Sequence, residues 1–201
     1  MDNRLVLASK SPRRFELLMQ MGLDFEVIPS EVFEDFVQAE SPRDHVIRLA
    51  EAKAREVADQ YRDRWVIAAD TIVCINGSIL GKPNCREEAV EMLRRLSGQE
   101  HRVLTGYSVC HLGKGRSDKE AVQTTVRMKP LTPAEMEWYA QTGEAFDKAG
   151  GYAIQGAGSF MIESIQGSYT NVVGLPLCEL VQTLTRLGAI RVAEGRWQIG
   201  P

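Results

Sequence analysis

The residues of this chain that could do chemistry fall into four groups, and their types suit the handling of charged phosphate and of a water molecule. Ser9, Ser11, Arg13 and Arg14 stand where an apolar run, Leu5 to Ala8, gives way to a Ser-Pro pair. Hydroxyls and the free N–H groups of a helix start donate to phosphate oxygens, and guanidinium forks clamp them bidentately. The same residues also read as an ordinary Ser-Pro helix start with two solvated arginines. Asp70 closes the most apolar run of the chain, Trp65 to Ala69. A carboxylate at the carboxyl end of such a strand holds a divalent cation or accepts a proton from water. It equally suits a turn in which Asp bonds its own backbone. Thr71 beside it is a specificity contact or simply a β-branched strand residue.

Lys53 is flanked by alanines, and Lys82 stands between Gly81 and Pro83. Each could neutralise phosphate, at about 4 kcal/mol for a contact of about 4 Å where the effective dielectric is about 20, or remain solvated. The stretch Asp147 to Gly158, followed by Gly167 and Gly174, is dense in glycine. That density costs folding entropy, so close approach of backbone to a ligand explains it better than packing. A flexible surface loop is the other reading, weakened by the regular spacing of Tyr152 and Ile154. Glu31, Glu34 and Asp35 are candidates for a cation site facing Asp70, in an acidic loop that is otherwise merely solvated. His45, His101 and His111 stand apart, and no nucleophile, base and orienting acid assemble around them, so they read as structural or surface residues.

The elements that must position these groups alternate. A strand over Leu5–Ala8 leads to a helix opened by Ser11-Pro12 and stopped at Gly22. A second strand over Phe25–Pro29 precedes the acidic loop Glu31–Glu40, and a helix then runs from Ser41-Pro42 to about Tyr61. The run Trp65–Ala69 suits a central strand covered on both faces and ending at Asp70-Thr71. Beyond it come an apolar continuation to Ile75, a hairpin turn at Asn76-Gly77 and a helix over Arg86–Leu96. Two β-rich runs, Val103–His111 and Ala121–Met128, flank the polar stretch Gly113–Lys119 as in a long hairpin. Thr132-Pro133-Ala134-Glu135 is a capping box, and a last helix spans about Pro176 to Gly188. The pattern is that of an α/β protein with a mixed twisted sheet and flanking helices.

With 201 residues, 25% charged and a formal charge of −3, the chain has the composition of an ordinary soluble protein, large enough for one domain or two small lobes. The acidic balance argues against a partner that is long nucleic acid or an anionic membrane. Four scattered cysteines without C-x-x-C spacing argue against zinc and for a reducing compartment. No segment is long and apolar enough to span a bilayer, and the start lacks the basic-then-apolar order of a secretory signal, so a cytoplasmic location is expected.

Leu7-Ala8-Ser9-Lys10-Ser11-Pro12-Arg13-Arg14, Ala69-Asp70-Thr71-Ile72-Val73, Gly81-Lys82-Pro83, Asp147 through Gly156, and Gly167-Ser168-Tyr169 through Leu177 occur in one order. Together they resemble the Maf family of nucleoside triphosphate pyrophosphatases. The resemblance covers about residues 4 to 187, a single domain to about residue 188, and leaves residues 189–201 as a tail. It implies an α/β fold similar to that of inosine triphosphate pyrophosphatases, with two lobes around a nucleotide cleft. It also implies hydrolysis between the α and β phosphates to a nucleoside monophosphate and pyrophosphate, a requirement for magnesium or manganese, a housekeeping role linked to arrest of cell division, and a homodimer. By the same resemblance Asp70 is the proton acceptor, Ser9, Arg14, Lys53 and Lys82 bind phosphate, and Glu34 together with Asp70 is placed at the cation. Arg13, Thr71 and Gln155 match the specificity positions of the branch similar to dTTP/UTP pyrophosphatases. The branch acting on 7-methyl-GTP carries a Trp in the Ser-Pro motif and an Arg-Asp-Pro-Asn stretch, both absent here. Phe33 departs from the family pattern, in which an acidic residue often precedes the loop Glu, and this leaves Glu31 and Glu34 both open for the cation. From another class, a nucleotide-binding regulator of septum formation would use the same ligand through a protein partner.

Overall fold

β-Branched and apolar residues from Val66 to Ile75 keep the backbone extended without a break, and the central strand is correspondingly ten residues long. In the computed structural model, which describes residues 4–35, 37 and 39–200, the elements are β1 (Leu5–Leu7), α1 (Pro12–Gln20), β2 (Phe25–Val27), α2 (Pro42–Gln60), β3 (Val66–Ile75), β4 (Ser78–Leu80), α3 (Arg86–Leu96), β5 (Glu100–His111), β6 (Arg116–Met128) and α4 (Pro133–Gln141). Two 3-10 turns, Ala149–Gly151 and Gly156–Met161, lead to β7 (Ile162–Gln166), α5 (Tyr169–Val173), α6 (Leu177–Arg186), β8 (Ile190–Ala193) and β9 (Arg196–Ile199). Phe36 and Gln38 of the acidic stretch, and Met1 to Asn3 at the start, lie outside the described residues. The strand order is β2-β1-β3-β5-β6-β7, with β4 on β3. β1 runs parallel to β2 and β3, whereas β3–β4 and β6–β7 are antiparallel, so the sheet is mixed, as the alternation of elements implies.

Two expected boundaries move. The sequence pattern closes the central strand at Asp70-Thr71, but β3 continues to Ile75, and the backbone first turns to positive φ at Asn76 and Gly77. The polar stretch expected between the two β-rich runs is mostly strand, because β6 begins at Arg116. Its side chains are solvated while its backbone groups have a neighbouring strand to pair with.

The chain divides into two compact units: residues 1–70, 105–122 and 174–201 in the first, and 71–104 and 123–173 in the second. Three of the four divisions fall inside β3, β5 and β6 and the fourth follows α5, so no long linker marks them. In the first unit, Ala54, Val57 and Ala58 of α2 pack on Val6, Val66, Ala68 and Cys110. Gly106 of β5 lets that helix approach closely, since a Cβ there would lie 2.3 Å from the Val46 carbonyl oxygen and 2.8 Å from the Ile47 nitrogen. In the second unit α3 contributes Ala89, Leu93 and Leu96, and α4 contributes Met136 and Tyr139, to a core shared with Val73, Val126 and Met128. The capping box is complete: Thr132 Oγ1 accepts from the Glu135 backbone N–H, and Glu135 accepts from the Thr132 N–H at 2.7 Å. Residues 190–199, expected only as tail, form the β8–β9 hairpin.

Replacing Gly106 by Ala forces the added methyl into helix backbone that has no rotamer to yield. The expected cost is about 2 kcal/mol or more in urea unfolding, and a loss within about 0.5 kcal/mol, typical of surface changes, would show that the helix backbone does not constrain this position.

Candidate active site

The buried face of α2 carries Val46, Leu49, Ala50, Lys53, Ala54, Val57 and Ala58, a spacing of three and four residues that contains one cation. Lys53 is thereby carried into the core, where its Nζ donates to Asp70 Oδ1 at 2.7 Å and to Glu34 Oε1 at 2.6 Å. Asp70 is 6% exposed and Lys53 7%, whereas the Glu34 side chain is nearly half exposed. Alternation along β3 puts Asp70 on the face of Val66 and Ala68, the face that α2 covers. β1 ends at Leu7, paired with Ile67, so Asp70 on β3 lies just past the carboxyl end of β1, the side on which open α/β sheets place ligands. It sits within a strand, which removes the turn-forming reading.

The β1–α1 junction lies in the same unit. Ser9, 8% exposed, accepts through Oγ from the Ser11 N–H at 3.2 Å and from Arg14 Nη1 at 3.3 Å. Arg14 also donates to the Ala69 carbonyl at 2.7 Å and to the Gly174 carbonyl at 2.8 Å. The carbonyl preceding Asp70 is thus tied to the first βα junction. Burial pushes the Arg14 guanidinium below its usual pKa, and the Asp70 and Glu34 carboxylates oppose that shift. Ser11 is the helix N-cap, yet its side chain makes no capping bond. Arg13, two residues on, is half-buried.

The three acidic candidates separate. Glu34 joins Lys53, Glu31 pairs with Lys10 at 2.9 Å, and Asp35 pairs with Arg48. Glu34 is therefore the loop carboxylate that shares a partner with Asp70. Glu56, which sequence reasoning passed over, anchors the start of this loop by accepting from Ser30 Oγ and from the Glu31 N–H. Among the described residues no group of three or more His, Cys, Asp or Glu is placed to hold a metal ion. Two hard carboxylates, Asp70 and Glu34, suit magnesium or manganese where phosphate and water oxygens complete the shell.

Thr71, Lys82 and Gln155 belong to the second unit. The exposed Lys82 follows Gly81, whose carbonyl accepts from the Gly150 N–H at 2.9 Å. Gly150, at φ 73°, leaves no room for a Cβ, which would meet the Val73 side chain at 2.9 Å. The glycine-rich segment is thus packed onto β3 and the Gly81 turn, which disposes of the flexible-loop reading. Two tyrosines hold it further: Tyr139 Oη accepts from the Ala153 N–H at 3.1 Å, and Tyr152 Oη lies 2.6 Å from His101 Nε2. Gln155 is half-buried at the end of this segment. His101 and His45 are structural, each 2% exposed. Thr124 was also missed: its hydroxyl donates to the Ser168 carbonyl and accepts from the Ser168 N–H and from Asn171, fixing the Gly167–Asn171 stretch.

Lys53→Met should destabilise the protein by about 3 kcal/mol or more, because it leaves Asp70 buried without its counter-ion; urea unfolding against wild type reads this, and a change below about 1 kcal/mol would mean that Asp70 is effectively solvated. His101 has its pKa lowered by burial from 6.5 to about 4. The unfolded chain then binds a proton that the native state refuses, so stability falls as pH drops from about 6.5 to about 4, by up to about 3 kcal/mol. Unfolding at pH 7.5 and 4.5 should show a smaller acid loss in His101→Gln than in wild type, and equal losses would refute the assignment.

Comparison with known proteins gives this arrangement a family. Residues 4–187 match the family model described as Maf-like protein. The dTTP/UTP pyrophosphatase of Syntrophotalea carbinolica is 52% identical over 193 residues, covering 95% of this chain and 88% of that protein. That of Syntrophus aciditrophicus is 49% identical over 190 residues, covering 94% and 93%, and that of Geobacter sulfurreducens is 50% identical over 187 residues, covering 93% and 98%. Among solved structures, the Staphylococcus aureus Ham1 protein aligns over 92% of this chain and 98% of its own, at 16% identity and a TM-score of 0.48. No helix of the described residues is long and apolar enough to cross a membrane. A family model spanning nearly the whole chain, with relatives near half identity over almost all of it, places the chain in the Maf family.

Proposed function

We propose that this chain is a nucleoside triphosphate pyrophosphatase that converts dTTP and UTP to the nucleoside monophosphate and pyrophosphate. Its relatives at about half identity bear the name dTTP/UTP pyrophosphatase. The observation that carries the reading is Asp70, buried on β3 past the carboxyl end of β1 and held by Lys53, which also holds Glu34.

In the reaction, the oxygen of water bonds to the α phosphorus, the bridging bond to the β phosphate breaks, and its electron pair leaves with pyrophosphate. The attacking water loses a proton, and Asp70 is the group assigned to accept it. Ser9, Arg14 and Lys53 supply donors and positive charge for phosphate oxygens whose charge grows in the transition state. Lys82 is assigned to phosphate, and Arg13, Thr71 and Gln155 to recognition of the pyrimidine nucleotide, all on the resemblance. Asp70 and Glu34 are the residues that would hold a divalent cation, which when bound neutralises phosphate charge and polarises the phosphoryl oxygens. With two carboxylates as its protein donors, such a cation depends on the triphosphate for much of its shell. A homodimer belongs to the same proposal as an expectation of the family.

Asp70→Asn, which keeps shape and a hydrogen-bond acceptor for Lys53, should release pyrophosphate from dTTP and UTP at least about 100-fold more slowly than wild type with magnesium or manganese present. Near-normal turnover would remove Asp70 from the chemistry, and nucleotide binding by wild type without any pyrophosphate release would favour a nucleotide-binding regulator.

A further inference from the structure

The C-terminal hairpin lies beyond the segment that the family model matches, and the chemistry above makes no use of it. It is nevertheless built tightly onto the end of α6. The Ala189 N–H donates to the Leu184 carbonyl and the Gly200 N–H to the Ala189 carbonyl, each at 2.8 Å. A Cβ on Gly200 would lie 1.9 Å from the Gly188 carbonyl oxygen, so only glycine closes the hairpin at this distance. Between this hairpin, the end of α6 and the β5–β6 turn is an open cavity of about 640 Å³. Thr185, Ile190 and the glycines 188 and 200 form part of its wall.

Three charged residues line it, Lys114 from the turn, Arg116 from β6 and Arg191 from β8, and all three are cationic; no carboxylate lines it. Arg116 donates through Nη1 to the Leu187 carbonyl at 2.7 Å, which fixes its guanidinium at the cavity wall and satisfies a helix-end acceptor. Arg191, on the hairpin, has no carboxylate partner among the described residues. Three cationic side chains from three chain segments line one recess of a chain whose formal charge is −3, a local concentration of positive charge that attracts small anions. The volume falls within the range of about 300 to 1,000 Å³ usual for small-molecule sites. Guanidinium groups recognise phosphate by paired donors.

We propose that this cavity is a second anion site, taking a small phosphate-bearing molecule. Long nucleic acid fits less well, because the positive charge is confined to one recess of an acidic chain. Amide NMR of the full chain tests it, with inorganic pyrophosphate and UMP titrated separately at low salt. The signals of Gly188, Ile190, Arg191 and Gly200 should shift and saturate with one or both, and the tighter of the two identifies whether phosphate alone or the nucleoside is read. Lys114→Glu and Arg191→Glu, both at exposed positions, should each weaken binding at these signals about tenfold or more while dTTP hydrolysis is retained. Unmoved tail signals, shifts that persist unchanged in the variants, or tighter binding of a single-stranded oligonucleotide than of either small molecule would overturn the proposal. The readout lies on the tail amides, so it stands or falls separately from the hydrolase reading.

Discussion

The organisation of the first unit depends on one buried ion pair, Lys53 with Asp70. Taking an ammonium and a carboxylate out of water costs several kcal/mol for each ion, and attraction offsets that only with close geometry and satisfied remaining donors. The contact is 2.7 Å, and Glu34 accepts a second N–H of the ammonium at 2.6 Å. The pair also fixes positions. α2 must present residue 53 inward, β3 must be in the register that turns Asp70 toward that helix, and the loop must bring Glu34 back over both. An apolar pair of similar volume would hold the same helix to the same strand with less desolvation cost, so stability alone does not explain the choice of charges.

Around that pair, cations equal carboxylates only when Arg14 is counted. Lys53 and Arg14 face Asp70 and Glu34, which leaves the cluster near neutrality before any nucleotide is considered. A triphosphate brings several negative charges, and a divalent cation would offset part of them. The two-carboxylate, two-cation set is therefore suited to a substrate that arrives with its own counter-ion, and poorly suited to holding a metal alone.

Much of this was legible in the sequence, for identifiable reasons. The apolar run before Asp70, the Ser-Pro junction and the capping box at Thr132 each follow from local rules that tertiary packing does not override. Lys53 was partly legible: position 53 lies in phase with Val46, Leu49, Ala50, Ala54 and Val57, which is the signal of a lysine carried inward. The end of β3 differs because Asp-Thr resembles a strand terminus, whereas pairing of Val73–Ile75 with β4 carries the strand on to Ile75. The pairings of Arg14 with Gly174 and of His101 with Tyr152 join residues far apart in sequence, and nothing in local pattern encodes them. The hairpin after Gly188 has no clear period in the sequence because its strands are only four residues each.

The division of the chain inside β3, β5 and β6 has a consequence for synthesis. The first unit is assembled from three separated stretches, and its last, beginning at Gly174, leaves the ribosome only when most of the protein has been made. The Arg14 side chain must then wait across 160 residues for the carbonyl that receives it. Contacts so distant in sequence are slow to form, and this one cannot form until the C-terminal stretch has been made. The order of translation thus makes the N-terminal half, which bears the Lys53–Asp70 pair, among the last parts of the molecule to become complete.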